Sequence, residues 1–368
     1  MGIIGAFSMN RLIKSPYIKK YKSNLYKNSL LGRLQILNHN DLAVLEACKK
    51  GMPVEELYKL FPARQIDKLC SGHLLLEENC IWSLHYIKHL EIEISTACNW
   101  KCEYCPRSFN SPQNKVMDLK LFCKILDDAK KYKHIKYITI NSYNEPTISP
   151  VFLPFIDEIA KRGFMLTLYT NGSGLNEYKI KYLQDLGNLR KIIFDYPSDN
   201  RVIFNKMTGT NDYDRTKKII DMALSNGLKV GFSVQGLNSI SGEEIKQIQK
   251  AYPEVPIIMG NSNDRAGALK NQYYQDIHIT CEHLSGCDMI MEAAVVTVNG
   301  DLCICCNDYY RKCLLGNIQD ISLSEILSSQ QYCDLRKKVW GGISAEWDFI
   351  CRHCVHMHNS IAENIIDE

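Results

Sequence analysis

Three cysteines fall within eight residues at Cys98-Asn99-Trp100-Lys101-Cys102-Glu103-Tyr104-Cys105, directly after the alternating apolar residues Leu90, Ile92 and Ile94. Alternation at a period of two marks a strand, so the cysteines sit on the loop at that strand's end. Thiols crowded on one loop suit a single inorganic centre. A four-iron cluster held by three of them keeps one iron open to a small molecule, which distinguishes a reactive metal site from a closed structural one. The other reading is a zinc knuckle. Zinc takes C-x2-C or C-x4-C pairs with a local fourth ligand, and no fourth cysteine or histidine lies nearby.

Sixteen cysteines in 368 residues suit either a secreted disulfide framework or metal and redox use inside the cell. The apolar stretch 2–9 is short, is followed rather than preceded by basic residues, and lacks both a small-residue cleavage pattern and the Ser or Thr of a myristoylation signal. No later run reaches the roughly 18–20 apolar residues of a membrane helix. These features point to a cytoplasmic protein with reduced thiols and no membrane partner. A formal net charge of +3 calls for no polyanion, so nucleic acid is not an expected partner, although residues 14–27 are locally basic.

Four regions follow from the patterning. Residues 1–31 are basic and aromatic without a clear period and read as a poorly ordered arm or a segment packed on a neighbour. Residues 32–86 read as a small winged-helix unit. There Asn40 or Asp41 can cap a helix carrying Leu42, Leu45 and Cys48, and Gly51 and Pro53 punctuate before Val54-Glu55-Glu56-Leu57. A further helix carries Ile66 and Leu69 and closes at Gly72, and Leu74-Leu75-Leu76 with Cys80-Ile81-Trp82 suggest a two-stranded wing. In residues 87–270 strands and helices alternate: strands are expected at 135–140, 165–169, 191–194, 229–234 and 255–259 after the first, with helices such as 118–131 and 213–226 between them. Residues 271–368 are cysteine-rich, carry a hairpin signal at Val298-Asn299-Gly300-Asp301, and read as a separate small module built round metal. The expected fold class is α/β: a partial (β/α)6 TIM-like barrel with an N-terminal winged-helix domain and a C-terminal iron–sulfur module.

A C-x3-C-x2-C loop at the end of a first barrel strand resembles the radical SAM superfamily, and the likeness runs over about residues 88–270. Ser142-Tyr143-Asn144-Glu145-Pro146 resembles that family's Gly-Gly-Glu-Pro segment. Asn144 stands for a glycine there and, as a residue tolerant of positive φ, is expected to keep the turn. Thr170-Asn171-Gly172 and Asn263-Asp264-Arg265-Ala266-Gly267 complete the set. The resemblance implies that Cys98, Cys102 and Cys105 hold a catalytic [4Fe-4S] cluster, and that Tyr104, Asn144, Glu145, Pro146, Thr170, Asn171 and Arg265 bind S-adenosylmethionine. It further implies an electron from a flavodoxin- or ferredoxin-type donor, reductive cleavage to a 5′-deoxyadenosyl radical, and removal of a hydrogen atom from a substrate.

Cys287, Cys305 and the pair Cys351-Arg352-His353-Cys354 resemble the ligand set of the SPASM/twitch modules, as do Leu315-Gly316-Asn317-Ile318 and the helix start at 323–327. Four thiolates close a full cluster with no open iron, and no cysteine follows Cys354, so one auxiliary [4Fe-4S] cluster is expected. Zinc stays open as its occupant, and Cys281 or Cys306 could replace one of the four ligands. Cys48, Cys70, Cys123 and Cys333 read as packing residues on helical faces. Among the thiols left over, Cys313 and Cys281 are the candidates for a catalytic hydrogen-atom donor at the barrel mouth.

The N-terminal unit resembles the recognition elements of peptide-modifying enzymes. That implies a precursor peptide whose leader docks as an added strand, with epimerisation, crosslinking or oxidation as the outcome. Two alternatives stand beside it. One is a radical dehydrogenase or epimerase of a small molecule such as a sugar or aminoglycoside. The other is an iron–sulfur redox-sensing DNA-binding regulator, for which no arginine-rich recognition helix is visible.

Overall fold

The computed structural model describes residues 11–235, 242–259, 264–269 and 277–357, so residues 2–9 and Asn263 lie outside the described residues. The N-terminal segment corrects the sequence reading first. Instead of an arm, it supplies β1 (Arg11–Lys14), β2 (Ile18–Lys22), β3 (Leu25–Asn28) and β4 (Arg33–Ile36). The last three form an antiparallel sheet in the order β2-β3-β4. Then come α1 (His39–Ala47), β5 (Met52–Pro53), α2 (Val54–Leu60), α3 (Ala63–Ser71) and β6 (Leu75–Glu77). Here β1 lies between β5 and β6, so the strand expected to pair with Cys80-Ile81-Trp82 pairs with the chain's beginning instead. Residues 80–82 are a turn. The cap of α1 also moves: the Asn38 side chain accepts from the Asp41 N–H at 2.8 Å and the Asp41 carboxylate accepts from the Asn38 N–H at 3.1 Å, a reciprocal capping box.

Leu12, Leu45, Leu57, Ile66, Leu69 and Leu75 close a small apolar cluster of this domain's own. Tyr17, Leu30, Leu76 and Ile81 pack instead into the main core, so the segment is stitched to the barrel.

Six parallel strands then follow in sequence order: β7 (His89–Ile92), β8 (Tyr137–Thr139), β9 (Met165–Thr170), β10 (Leu189–Asp195), β11 (Val230–Val234) and β12 (Ile257–Met259). Between them run α4 (Leu119–Lys131), α5 (Phe152–Lys161), α6 (Glu177–Leu186), α7 (Arg201–Thr208), α8 (Tyr213–Ser225) and α9 (Gly242–Ala251). Local chemistry sets each start. Asp118 caps α4 by accepting from the N–H groups of Lys120 and Leu121 at 2.8 and 3.3 Å, and Phe122, Ile125, Leu126 and Ala129 form its buried stripe. Phe122 stacks on Phe155 of α5 with centroids 4.0 Å apart. Burying such a side chain contributes roughly 2 kcal/mol, and the spacing of these residues makes the helix face inevitable. Among the described residues β12 and β7 do not pair, which leaves the barrel partial.

The C-terminal region is less separate than expected. After α10 (Met289–Glu292), β13 (Ala293–Val296) pairs in parallel with the free edge of β7, and β14 (Asp301–Cys303) and β15 (Leu314–Asn317) extend the ladder antiparallel. The result is one nine-stranded sheet, flanked at its end by α11 (Leu323–Ser328) and α12 (Gln330–Val339). The expected Asn299-Gly300 hairpin joins β13 to β14.

The cysteine loop is held by a helix end. The last carbonyls of α7 lack partners within the helix, and those of Thr208 and Met207 accept the N–H groups of Lys101 and Glu103 at 3.1 and 2.9 Å. The Trp100 indole donates to Asp212 at 2.9 Å. Gly209 makes this approach feasible, since its φ is +64° and a Cβ there would lie 2.6 Å from the Lys101 carbonyl oxygen. Gly209→Ala is therefore expected to cost at least about 1–2 kcal/mol from the left-handed backbone alone and to displace the loop. Urea denaturation of the metal-free protein and the iron retained after reconstitution check both effects, and an unchanged midpoint with full iron would contradict this account.

Candidate functional site

The C-terminal ends of the parallel strands carry the loops that a barrel uses for chemistry, and they surround a cavity of about 630 Å³. Cys98, Cys102 and Cys105 line it together, with Tyr104, Asn144, Glu145, Asn171 and Arg265. Pro146 and Thr170, grouped with these by the sequence, stand behind the wall. The Thr170 hydroxyl donates to Glu145 at 2.6 Å, and Pro146 opens a short 3-10 turn.

The loop geometry is built from side chains answering backbone. Arg107 is buried and donates to the carbonyls of Thr96 and Cys98 at 2.9 and 3.2 Å, while the Ser108 hydroxyl donates to the Cys102 carbonyl at 2.8 Å. Asn99 accepts from Asn171 and Ser173 at 3.2 and 2.8 Å, which ties the first loop to the third. Gly174 lets that third loop lie on the second, because a Cβ there would come within 2.3 Å of the Thr147 backbone. Asn144 does not take the expected positive φ. Its side chain makes the turn instead, accepting from the Ser142 N–H at 2.8 Å.

Burial raises all three loop thiols above the ordinary cysteine range, Cys98 to about 12. Near neutral pH they stay protonated unless a cationic centre draws off the protons. Tyr104 is buried, and its hydroxyl lies against the Cys102 thiol in the cavity wall. A ring with a polar tip in a roomy wall fits a polar guest. The second set behaves likewise. Burial raises Cys287, Cys305, Cys351 and Cys354, and beyond burial the nearest groups acting on Cys305 include Cys306, Cys351, Cys354 and Cys287. Arg352, buried inside the Cys351–Cys354 turn, clamps it by donating to the carbonyls of Ile279, Cys281 and Ala345 at 2.8, 2.7 and 2.7 Å. Mutually repelling buried thiols are a donor set suited to a cationic iron cluster. No group of three or more such side chains among the described residues could hold a single metal ion. A cubane asks for no such convergence, since each thiolate binds a different iron.

The two thiols expected at the barrel mouth are elsewhere. Cys281 is exposed and donates to the His283 carbonyl at 3.1 Å, and Cys313 lines a different, surface cavity with Lys338 and Glu346. Cys306 lines the central cavity instead. Loop residues outside a strand carry no periodicity, so the sequence held no signal for which cysteine faces inward. Of Cys48, Cys70, Cys123 and Cys333, the first is fully buried as a packing residue and the others are half-buried.

A family model of the radical SAM superfamily matches residues 92–252, and one described as an iron–sulfur cluster-binding domain, SPASM, matches residues 287–355. Residues 92–252 thus carry a radical SAM superfamily domain, and residues 287–355 an iron–sulfur cluster-binding SPASM domain. The cofactors are accordingly S-adenosylmethionine and a [4Fe-4S] cluster, with auxiliary iron–sulfur in the C-terminal domain. Over 101 residues the chain is 41% identical to the tungsten-containing aldehyde ferredoxin oxidoreductase cofactor-modifying protein of Pyrococcus furiosus, and it spans 28% of that relative's length. It is 23% identical over 276 residues to the S-adenosyl-L-methionine-dependent 2-deoxy-scyllo-inosamine dehydrogenase of Niallia circulans, covering 72% of this chain and 91% of that one. In fold it is similar to Streptococcus suis SuiB bound to precursor peptide SuiA, with a TM-score of 0.61, 15% identity and 97% of each chain covered. Among the described residues no helix is long and apolar enough to cross a membrane.

Two acids on the inner face of this radical SAM barrel, Glu91 and Asp195, also line the cavity and escaped the sequence reading. Glu91 was legible in principle, because it alternates with the outward Leu90 and Ile92 and so must point inward. Burial pushes Glu91 up from 4.5 to about 7 against the pull of Arg311 and Arg265, and Asp195 up from 3.8 to about 7. A folded-state value above the unfolded one means that the native protein keeps a proton the unfolded chain has released. The contribution of Glu91 to stability is thus present below pH 4.5 and is lost as pH rises through about 7. Glu91→Gln is expected to stabilise the protein at about pH 8 and to lose that advantage near about pH 5. Urea denaturation at both values checks it, and a difference independent of pH would contradict the assignment.

Proposed function

We propose that Cys98, Cys102 and Cys105 hold the catalytic cluster, that Cys287, Cys305, Cys351 and Cys354 hold the auxiliary one, and that the substrate is a precursor peptide bearing a leader. When bound, the catalytic cluster and S-adenosylmethionine supply reductive cleavage to a carbon-centred radical that removes a hydrogen atom. The chain's part is to seat and shield. Glu145 fixes three strand-end loops, Tyr104 offers its ring and hydroxyl to the cofactor side, and Arg265 lies over the Tyr143 ring at 5.7 Å, closing the wall toward the C-terminal domain. A flavodoxin- or ferredoxin-type donor would provide the electron, in keeping with a cytoplasmic setting.

The observation that carries the peptide reading is strand β4. Among the described residues it pairs only with β3, and on one of its faces Leu34 and Ile36 are 50% and 70% exposed. An unpaired edge flanked by exposed apolar side chains is a template for an added strand. The fold likeness to SuiB, which extends over 97% of this chain, supports it further. A second reading, oxidation of a small aminocyclitol, draws on the relative that is 23% identical over 91% of a 2-deoxy-scyllo-inosamine dehydrogenase.

Replacing Cys98, Cys102 and Cys105 together with alanine is expected to remove about four irons per chain and all 5′-deoxyadenosine formation. Iron analysis that shows no drop would sink the ligand assignment. For the substrate, 5′-deoxyadenosine formation is expected to rise with a leader-bearing peptide and not with 2-deoxy-scyllo-inosamine. Leu34→Asp with Ile36→Asp should raise the peptide's KM by about tenfold or more, since two apolar anchors are each worth roughly 1–2 kcal/mol. Stimulation by the aminocyclitol alone would favour the second reading.

A further inference from the structure

Cys305 and Cys306 are neighbours in sequence with different surroundings. The groups acting most strongly on the Cys305 thiol after burial are thiols, Cys306, Cys351 and Cys354 among them. Around Cys306 they are Glu91, Arg265 and Arg311, groups of the barrel interior. Cys306 lines the central cavity with Cys98, Cys102 and Cys105, whereas Cys305 does not. Its backbone is anchored there, because the Tyr143 hydroxyl donates to the Cys306 carbonyl at 2.5 Å. A second feature marks this cavity as a place for a guest: Glu91, Asp195 and Arg265 line the same space of about 630 Å³.

We propose that Cys306 is the hydrogen-atom donor of this cavity, giving its S–H hydrogen to a carbon radical formed there, so that the net change in the substrate is a redox-neutral inversion. The S–H bond is weaker than most C–H bonds, so transfer runs downhill. The balance is simple. The S–H bond breaks homolytically, a C–H bond forms on the substrate, and a sulfur radical is left on Cys306. One electron from a low-potential one-electron donor protein and one proton restore the thiol. Glu91, which burial keeps protonated toward neutral pH, is placed to give that proton. The cysteine next in the chain, Cys305, belongs to the thiol set assigned above to the auxiliary cluster, which offers the electron a route. This inference rests on cleavage of S-adenosylmethionine and not on the peptide reading.

The test therefore needs no substrate. The reconstituted protein is reduced with titanium(III) citrate, free of added thiol, in heavy water with S-adenosylmethionine alone. The 5′-deoxyadenosyl radical then takes deuterium from the exchanged Cys306 thiol, and the 5′-deoxyadenosine carries one non-exchangeable deuterium by mass spectrometry. The deuterated fraction of the product formed, whatever its amount, should be lost in Cys306→Ala and in Cys306→Ser, whose O–H bond is too strong to donate. Cys313→Ala, outside the cavity, should keep it. Iron content measured on each variant should equal that of the unaltered protein. An undiminished deuterated fraction in both Cys306 variants overturns the proposal, and so does a loss of about four irons, which would make Cys306 a cluster ligand. If the unaltered protein forms no 5′-deoxyadenosine, the cleavage on which the inference rests fails, and the donor role with it.

Discussion

The Glu145 carboxylate is the contact on which the site's shape depends. It is 2% exposed, and an isolated buried charge would be costly, yet four donors answer it. One oxygen accepts from the Thr147 N–H at 3.0 Å, the Thr147 hydroxyl and the Thr170 hydroxyl, and the other from the Asn171 N–H at 2.6 Å. Its own N–H donates to the Ala97 carbonyl at 2.9 Å. Burial pushes the carboxyl up and these hydrogen bonds pull it down, with burial the larger effect. Three strand ends are thus locked to one residue, two of them through its carboxylate and the third through its N–H, and no loop can shift without leaving a polar group unanswered.

Much of this was legible in the sequence, for reasons particular to each element. The six parallel strands followed from alternating or continuous apolar runs bounded by turn residues, and α4 from an Asp cap ahead of an apolar stripe. The cysteine loop was legible because its spacing is chemical rather than conformational. What failed to show was long-range. Strand β2 reads Ile-Lys-Lys-Tyr-Lys, a lysine-rich edge with little alternation, so its β character arises from its partner β3. The parallel pairing of β13 with β7 joins residues some two hundred positions apart, and no local pattern announces it. Asn144 was given the right turn for the wrong reason, since side-chain acceptance rather than a left-handed backbone shapes it.

The seam between the barrel and the C-terminal domain is aromatic and cationic. Tyr143 meets Tyr309 edge to face at 4.7 Å, with Arg265 and Arg311 over its ring at 5.7 and 5.8 Å. Arg311 also reaches Ser142 at 3.0 Å and Glu93 at 3.4 Å. Arg311 thus answers Glu93 across the boundary, and Arg265 donates back to Asn307 at 3.3 Å, which makes the second thiol set a fixture of the cavity wall rather than an appendage.

That fixture has a mechanical consequence. Because β13 pairs with β7 over four residues, the strand that launches the cysteine loop is flanked on both edges and has no free side. A hinge between the two halves would have to tear a continuous backbone ladder, so the gap between the loop thiols and the C-terminal thiols is a constant of the fold. If both thiol sets hold the clusters proposed for them, an electron crossing it would meet the same tunnelling distance before and after a guest arrives. Timing in such a molecule is left to what enters the cavity, because the distance itself cannot be tuned.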